Sequence, residues 1–255
     1  MAQHSTVLIT GASSGIGLAL AHEFAKHGHH VVLVSRSRDA LEALAKELRE
    51  QCRIIATPIV KDLSQAYAAQ ELFDDLRDAG LTIDMLVNNA GIGVYGNVAD
   101  NDPKRLHDLL AINIVALTEL ARLFLPGMLE RKSGRVLNIG SLAGYAPGPG
   151  FAVYYASKAY VHSLSEALWQ ETRGTGVTVT CLCPGETRTN FFRAAGVEEN
   201  IEHFMDPAIV ARIGYAATMR GARTVNAGWR NSMFAWWMRY LPHALLLRVI
   251  HKWHR

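Results

Sequence analysis

Three side chains within one short stretch can carry proton chemistry: the hydroxyl of Ser141, the phenol of Tyr154 and the amine of Lys158. The segment around Tyr154 has no Gly or Pro, and Val161, Leu164, Ala167 and Leu168 after it recur at helical spacing. On that helix Tyr154 and Lys158 share a face, one turn apart. A free phenol titrates near about 10, too high for a base at neutral pH. A nearby ammonium favours the phenolate and is expected to lower that value. Such a Tyr can give a proton to a carbonyl oxygen or take one from an alcohol. The alternative is a half-buried core aromatic beside a solvated charge. Ser141 follows the strand-like run Arg135–Ile139, at the strand end where open α/β sheets bind ligands.

The N-terminal stretch supplies a place for a nucleotide. Thr6–Thr10 is a short β-branched run, followed by Gly11-Ala-Ser13-Ser14-Gly15-Ile16-Gly17 and then a helical pattern through His27. Strand, glycine turn and helix together hold a pyrophosphate on backbone N–H groups and a helix N-terminus. Gly11 permits the tight turn, Gly15 the close approach of phosphate, and Gly17 the close packing of helix on strand. Ser13, Ser14 and Ile16 belong to the same cofactor-binding turn. The second strand, Val31–Val34, leads to Arg36, nineteen residues past Gly17. An acidic residue there would bind the ribose hydroxyls of NAD; a guanidinium suits the 2′-phosphate of NADP. NADP(H) is therefore favoured over NAD(H), against the alternative of a solvated loop charge. Asp62, with Leu63 beside it, stands after the third strand, where it can accept from an adenine amine or serve as a turn residue. Asn88-Asn89-Ala90-Gly91 ends the fourth strand and can brace neighbouring strands or border the cofactor.

The remaining pattern alternates strands and helices without a break. Strands are expected at Arg53–Thr57, Ile83–Val87 and Val177–Leu182; helices are expected to open at Asp39 with Glu42, at Ser64 with a stop at Gly80, at Asp102-Pro103 running to about Arg131, and at Asp206-Pro207. Asn113 lies inside the long helix, where Asn is a poor residue; a local kink or simple tolerance would account for it. The fold class is α/β, a doubly wound parallel sheet of Rossmann type in a single domain of residues 1–228. Residues 229–255 form a C-terminal helical extension.

In order and spacing, Thr10-Gly-x-x-x-Gly-x-Gly17, Asn88-Asn-Ala-Gly91, Asn113, Ser141, Tyr154-x-x-x-Lys158 and Pro184-Gly185 resemble the short-chain dehydrogenase/reductase family over about the first 190 residues. The resemblance implies an NAD(P)-dependent oxidoreductase of alcohols and carbonyls. Tyr154 would be the acid/base. Lys158 would lower its pKa and bond the nicotinamide ribose. Ser141 would hold the substrate oxygen, and Asn113 a water in the proton relay. Pro184, Gly185, Thr187 and Thr189 would border the cofactor, the two threonines at the nicotinamide carboxamide. Glu186-Thr187 departs from the apolar second position of many members. A homodimer or homotetramer through the helices of Asn113 and Tyr154 is implied. The rival reading is a non-catalytic NADP-binding sensor or scaffold, although no catalytic residue is missing.

Composition narrows the remaining choices. The chain has 255 residues, 49% apolar and 19% charged, with a net charge of +3. From Pro207 onward there is no acid and there are eight Lys/Arg, which leaves the first 206 residues acidic on balance. An acidic body argues against nucleic-acid binding. Cys52, Cys181 and Cys183 are a sparse, odd set that suits a reducing cytoplasm. Cys181 and Cys183 would point the same way along a strand, which suits packing better than zinc, and no metal site is expected. His27, His29 and His30 read as turn filler rather than ligands. The N-terminus shows neither the basic nor the apolar region of a signal peptide. Phe191, Phe192, Phe204 and Met205 lie in a loop that could close over a hydrophobic ketone or aldehyde. Beyond Pro242, Leu245, Leu246, Val249, Ile250 and Trp253 share one helical face, and Arg248, His251, Lys252 and Arg255 the other. An anionic membrane surface, an oligomer contact and a lid packed on the body are the competing readings. The localisation expected is cytoplasmic, with peripheral membrane contact through 229–255 as an addition.

Overall fold

The computed structural model of the chain describes residues 5–197, 203–241, 246, 247 and 250. Among these, seven strands form one parallel sheet in the order β3-β2-β1-β4-β5-β6-β7. They are β1 (Thr6–Thr10), β2 (His30–Ser35), β3 (Ala56–Val60), β4 (Met85–Asn88), β5 (Gly134–Ile139), β6 (Val177–Cys183) and β7 (Thr224–Asn226). Val7, Leu8 and Ile9 are fully buried on both faces of the sheet, as a central parallel strand requires. The order reverses at β1 and β4, and the crevice at that switch point is where such sheets take a ligand.

Helices cover both faces. α1 (Gly15–Lys26) and α2 (Arg38–Cys52) lie on one side, α3 (Ala68–Asp78) on the other. In α2, Leu41, Leu44, Ala45 and Leu48 recur at helical spacing and are all buried against β2 and β3. The long helix predicted from Asp102 is present in three parts: α4 (Pro103–Leu110), a π-helical turn (Ala111–Ala116) and α5 (Leu117–Glu130). The Asp102 side chain accepts from the Lys104 N–H, so the cap is where the sequence placed it. The π turn widens the helix at Asn113, the residue that sat poorly in a regular helix. This helix is long and apolar enough to cross a membrane, and half of its most apolar window is buried against the protein.

α6 (Ala152–Glu171) carries Tyr154 and Lys158, and α7 (Phe191–Ala195), α8 (Pro207–Met219) and α9 (Trp229–Tyr240) follow. Asp206 caps α8 by accepting from the Ala208 N–H, as expected.

Several boundaries differ from the sequence reading. The third strand begins at Ala56 rather than Arg53, because Arg53 adopts a left-handed conformation that closes α2. Ser37, not Asp39, is the N-cap of α2, and Asp39 lies in its first turn. Ser64 does not cap a helix: its N–H and hydroxyl both go to Asp62, and α3 starts after Tyr67. Gly80, at φ 69°, ends that segment as expected. β7 has only three residues and gave no periodic signal.

Candidate functional site

The glycine turn is built as its spacing suggested. Gly11 and Gly15 have φ of +67° and +57°, which favours glycine. A Cβ at Gly17 would strike the Gly11 carbonyl and the Asn89 amide. Asn89 donates to the Thr10 carbonyl at 2.8 Å and the Gly11 carbonyl at 3.2 Å, tying β4 to the turn. Ser14 caps α1 without spending its side chain on the helix, leaving the first N–H groups of α1 turned to the crevice.

Ser141 stands two residues past β5, where its Oγ accepts from the Ala143 N–H at 3.1 Å and opens a short 3₁₀ turn, Leu142–Tyr145. A buried polar ladder fixes the neighbouring strand ends. Asn88 donates to Asn138 at 3.0 Å, and Asn138 to Ser165 of α6 at 2.9 Å. α6 is thereby held in one position over β5, which sets Tyr154 and Lys158 against Ser141.

A cavity of about 1280 Å³ runs from the glycine turn to α9. Gly11, Ser13, Ser14, Gly15 and Ile16 border its nucleotide end with Arg36, Asp62 and Leu63. Asn89, Ala90 and Gly91 line its middle, as do Ser141, Tyr154, Lys158, Pro184, Gly185, Thr187 and Thr189. Among the residues singled out from sequence, Gly17 and Asn113 stand behind this lining. The Asn113 side chain accepts from Ile92 N–H at 2.9 Å and donates to the Ile92 carbonyl and Ser157 Oγ, each at 3.0 Å. Its amide is thus occupied in bracing the Gly91–Ile92 segment against α6. The Thr187 hydroxyl donates to the Gly185 carbonyl at 2.9 Å, and Thr189 Oγ accepts from Phe191 N–H at 3.2 Å.

The electrostatics reverse one expectation. Burial pushes the Tyr154 phenol up to about 12, while a hydrogen bond with Ser141 pulls it down. Burial pushes the Lys158 amine down to about 8. Lys158 Nζ lies 5.8 Å from the Tyr154 ring centroid and donates to the Ile139 carbonyl at 2.8 Å. The ammonium therefore does not acidify the phenol here: desolvation acts on both groups, and the amine bonds backbone rather than the phenolic oxygen. Asp62 stays below the usual carboxylate range despite burial, held there by Ser64 and by the Arg36 charge.

Sequence reasoning missed much of the apolar end. Phe151, Tyr155, Trp229, Met233, Phe234, Trp237 and Met238 border the cavity, alongside the expected Phe191 and Phe192 and Ile250 of the predicted stripe; of the expected lid residues, Phe204 packs on Phe192 and Met205 on the core instead. Tyr155, next to Tyr154 in the chain, lines the wall as well. Leu246 and Ile250 pack with Met238 against Leu142, Tyr145 and Tyr155, so these two members of the predicted stripe face the body. Leu245, Val249 and Trp253 lie outside the described residues, as do Arg248, His251, Lys252, Arg255 and Met1–His4. The three clustered histidines do not converge. His27 stacks on Tyr215, His29 bonds the Tyr215 hydroxyl at 3.2 Å, and His30 accepts from Ile55 N–H.

The fold and this edge-of-sheet site define a Rossmann-type α/β protein with a built nucleotide crevice. The chain belongs to the short chain dehydrogenase family, whose profile matches residues 5–200. It is 40% identical over 184 residues to a very-long-chain 3-oxoacyl-CoA reductase of Anas platyrhynchos, spanning 69% of this chain and 58% of that one. It is 38% identical over 203 residues to the ketoacyl reductase HetN of a Nostoc species, across 75% and 70% of the two chains. The chain thus spans less than three fifths of the length of the reductase from Anas. Among solved structures, a short-chain dehydrogenase from Sphingobium yanoikuyae in complex with NADPH superposes with a TM-score of 0.83 at 31% identity, covering 94% and 97% of the chains.

Proposed function

We propose that this chain, with its catalytic body in residues 1–228, is an NADPH-dependent reductase that converts a hydrophobic ketone or aldehyde to an alcohol. The observation that carries the reading is Tyr154: a phenol kept protonated, paired with Ser141, at a cavity shared with the glycine turn. The residues present fit the nucleotide. Gly11 and Gly15 bring the backbone of the turn to the crevice at positive φ without a Cβ, and the α1 N-terminus suits a pyrophosphate. Arg36, beside Asp62 at the cavity rim, would hold a 2′-phosphate, and Lys158 the ribose next to the nicotinamide. When bound, the reduced nicotinamide supplies the hydride.

The chain's own residues do the rest. Ser141 donates a hydrogen bond to the carbonyl oxygen and orients it. Tyr154, protonated at neutral pH and beside Ser141 in the cavity, gives its proton to that oxygen as charge builds there. Asn113 keeps α6 and the Gly91–Ile92 segment in register. Phe151, Tyr155, Phe191 and Phe192 exclude water from the apolar end. The oxoacyl and ketoacyl reductases among the relatives, and the NADPH complex, agree with this chemistry.

NADPH oxidation followed over carbonyls of graded chain length is the test, with calorimetric titration of NADPH and NADH. Turnover should rise with apolar length, and NADPH should bind tighter. Nucleotide binding without turnover of any carbonyl would replace the enzyme with the sensor reading.

The reading extends to two surfaces. Leu110, Val115 and Tyr160 expose apolar area on the long helix and α6, which suits a homodimer or homotetramer. Trp229, Met233, Trp236, Trp237 and Tyr240 recur on one exposed face of α9, in a region of basic charge without acids. That face suits peripheral contact of an otherwise cytoplasmic protein with an anionic bilayer. Flotation with anionic vesicles should carry the protein up, and a Trp236→Ser, Tyr240→Ser double variant should stay at the bottom; equal partitioning would exclude the contact.

A further inference from the structure

Behind the cavity floor lies a cluster that the proposed reduction does not use. Cys181 and Cys183, both fully buried, point to the same face of β6, and His162 of α6 comes down onto them. Cys183 Sγ is 3.1 Å from His162 Nε2, and the two sulfurs are 3.7 Å apart. All three atoms lie within 4.8 Å of one another. The backbone makes room for them: a Cβ at Gly140 would stand 2.8 Å from His162 Nε2 and 3.0 Å from Cys181 Sγ. Ser141 N–H donates to Nε2 from 3.5 Å, so that nitrogen is an acceptor carrying a lone pair, with Cys183 Sγ also within 3.1 Å of it.

Around a tetrahedral zinc-like ion, with bonds of about 2.3 Å to sulfur and about 2.0 Å to nitrogen, ligand atoms stand roughly 3.4–3.8 Å apart. The observed separations need only small side-chain rotations to reach those values. We propose that His162, Cys181 and Cys183 form a binding site for one thiophilic divalent cation of the zinc and cadmium class.

Binding releases one proton from each thiol, and two metal–sulfur bonds and one metal–nitrogen bond form with no change of oxidation state. The cation and two thiolates together are neutral, so the complex adds no net charge beside buried Lys158. Tyr145 stands beside the cluster, its hydroxyl 3.8 Å from Cys183 Sγ and its ring 4.5 Å from His162. An ion on Nε2 also takes away the acceptor of Ser141 N–H, which couples the site to the cavity floor.

Cadmium alone is the probe, added to the full chain carrying Cys52→Ala, which removes the remaining thiol. One cation per chain should raise thiolate-to-cadmium ultraviolet absorption and release two protons, with the helical circular dichroism unchanged. Adding Cys183→Ala should abolish the band, and His162→Gln should weaken binding at least tenfold. No band in Cys52→Ala, a band retained after Cys183→Ala, or a band that grows only as the helical signal is lost overturns the site. The second arm, which rests on the reductase reading, is zinc inhibition. Turnover of the wild type should fall with zinc while Cys183→Ala keeps its metal-free turnover and is insensitive. Absorption without inhibition keeps the site and overturns its coupling to Ser141. A chain with no metal-free turnover at all fails the reductase reading alone.

Discussion

A buried phenol near about 12 and a buried amine near about 8 each bear the desolvation cost of the site. Replacing Tyr154 with Phe keeps the ring and removes the proton. Turnover in the reductive direction should fall by about 10²–10⁴-fold, the usual worth of a positioned acid, with NADPH binding unchanged by calorimetry. Wild-type turnover in Tyr154→Phe would reject the role. Lys158 predicts a pH effect on stability. Below about pH 8 both folded and unfolded chains hold its proton, and the burial penalty is present in full. Between about 8 and 10 the unfolded chain keeps a proton that the folded chain has released, so stability rises with pH, by about 2–3 kcal/mol. Tyr154 acts in the opposite sense only above pH 10, so the window is clear of it. Urea unfolding at pH 7 to 10 should show this rise in the wild type and not in Lys158→Met; equal slopes would contradict it. At this scale the sequence showed which groups meet, since Ser141, Tyr154 and Lys158 do line one cavity. It could not show the sign of the phenol's shift, because that sign depends on burial and on Lys158 bonding the Ile139 carbonyl.

Element by element, the glycine turn is the least tolerant part. A Cβ at Gly17 has backbone in its way rather than a flexible side-chain end, so α1 must move off β1. Gly17→Ala should cost about 1–3 kcal/mol in thermal or urea unfolding and lower nucleotide affinity at least tenfold; unchanged affinity would show that the turn does not hold the nucleotide. The strands were legible where runs such as Val31–Val34 are buried on both faces and carry no polar interruption. Arg53-Ile-Ile looked like part of the next strand, yet its first residue turns left-handed to end α2, leaving Ile55 60% exposed. Local apolarity does not record which way the backbone turns. Asn113 was legible as an oddity but not as a π turn, since its side chain is satisfied by Ile92 and Ser157 from distant parts of the chain. His162 gave no signal beside the two cysteines because it is brought there only by packing of α6 on β6.

For the whole molecule, the faces of the long helix and α6 left open to solvent predict assembly. Val115 is 49% exposed on the π turn, which packs against α6. Val115→Asp should shift the sedimenting species toward the monomer, whereas an unaltered distribution would place the interface elsewhere. Leu246 and Ile250 come from the end of the sequence, yet they press on Leu142 and Tyr155 beside Tyr154, and Ile250 borders the same cavity. On the proposed reading, the machinery for moving a proton and part of the wall around it are written far apart in the chain. Changes confined to the last dozen residues can redraw the range of molecules accepted while leaving the reacting groups untouched, so relatives with matching motifs can diverge in diet through their tails alone.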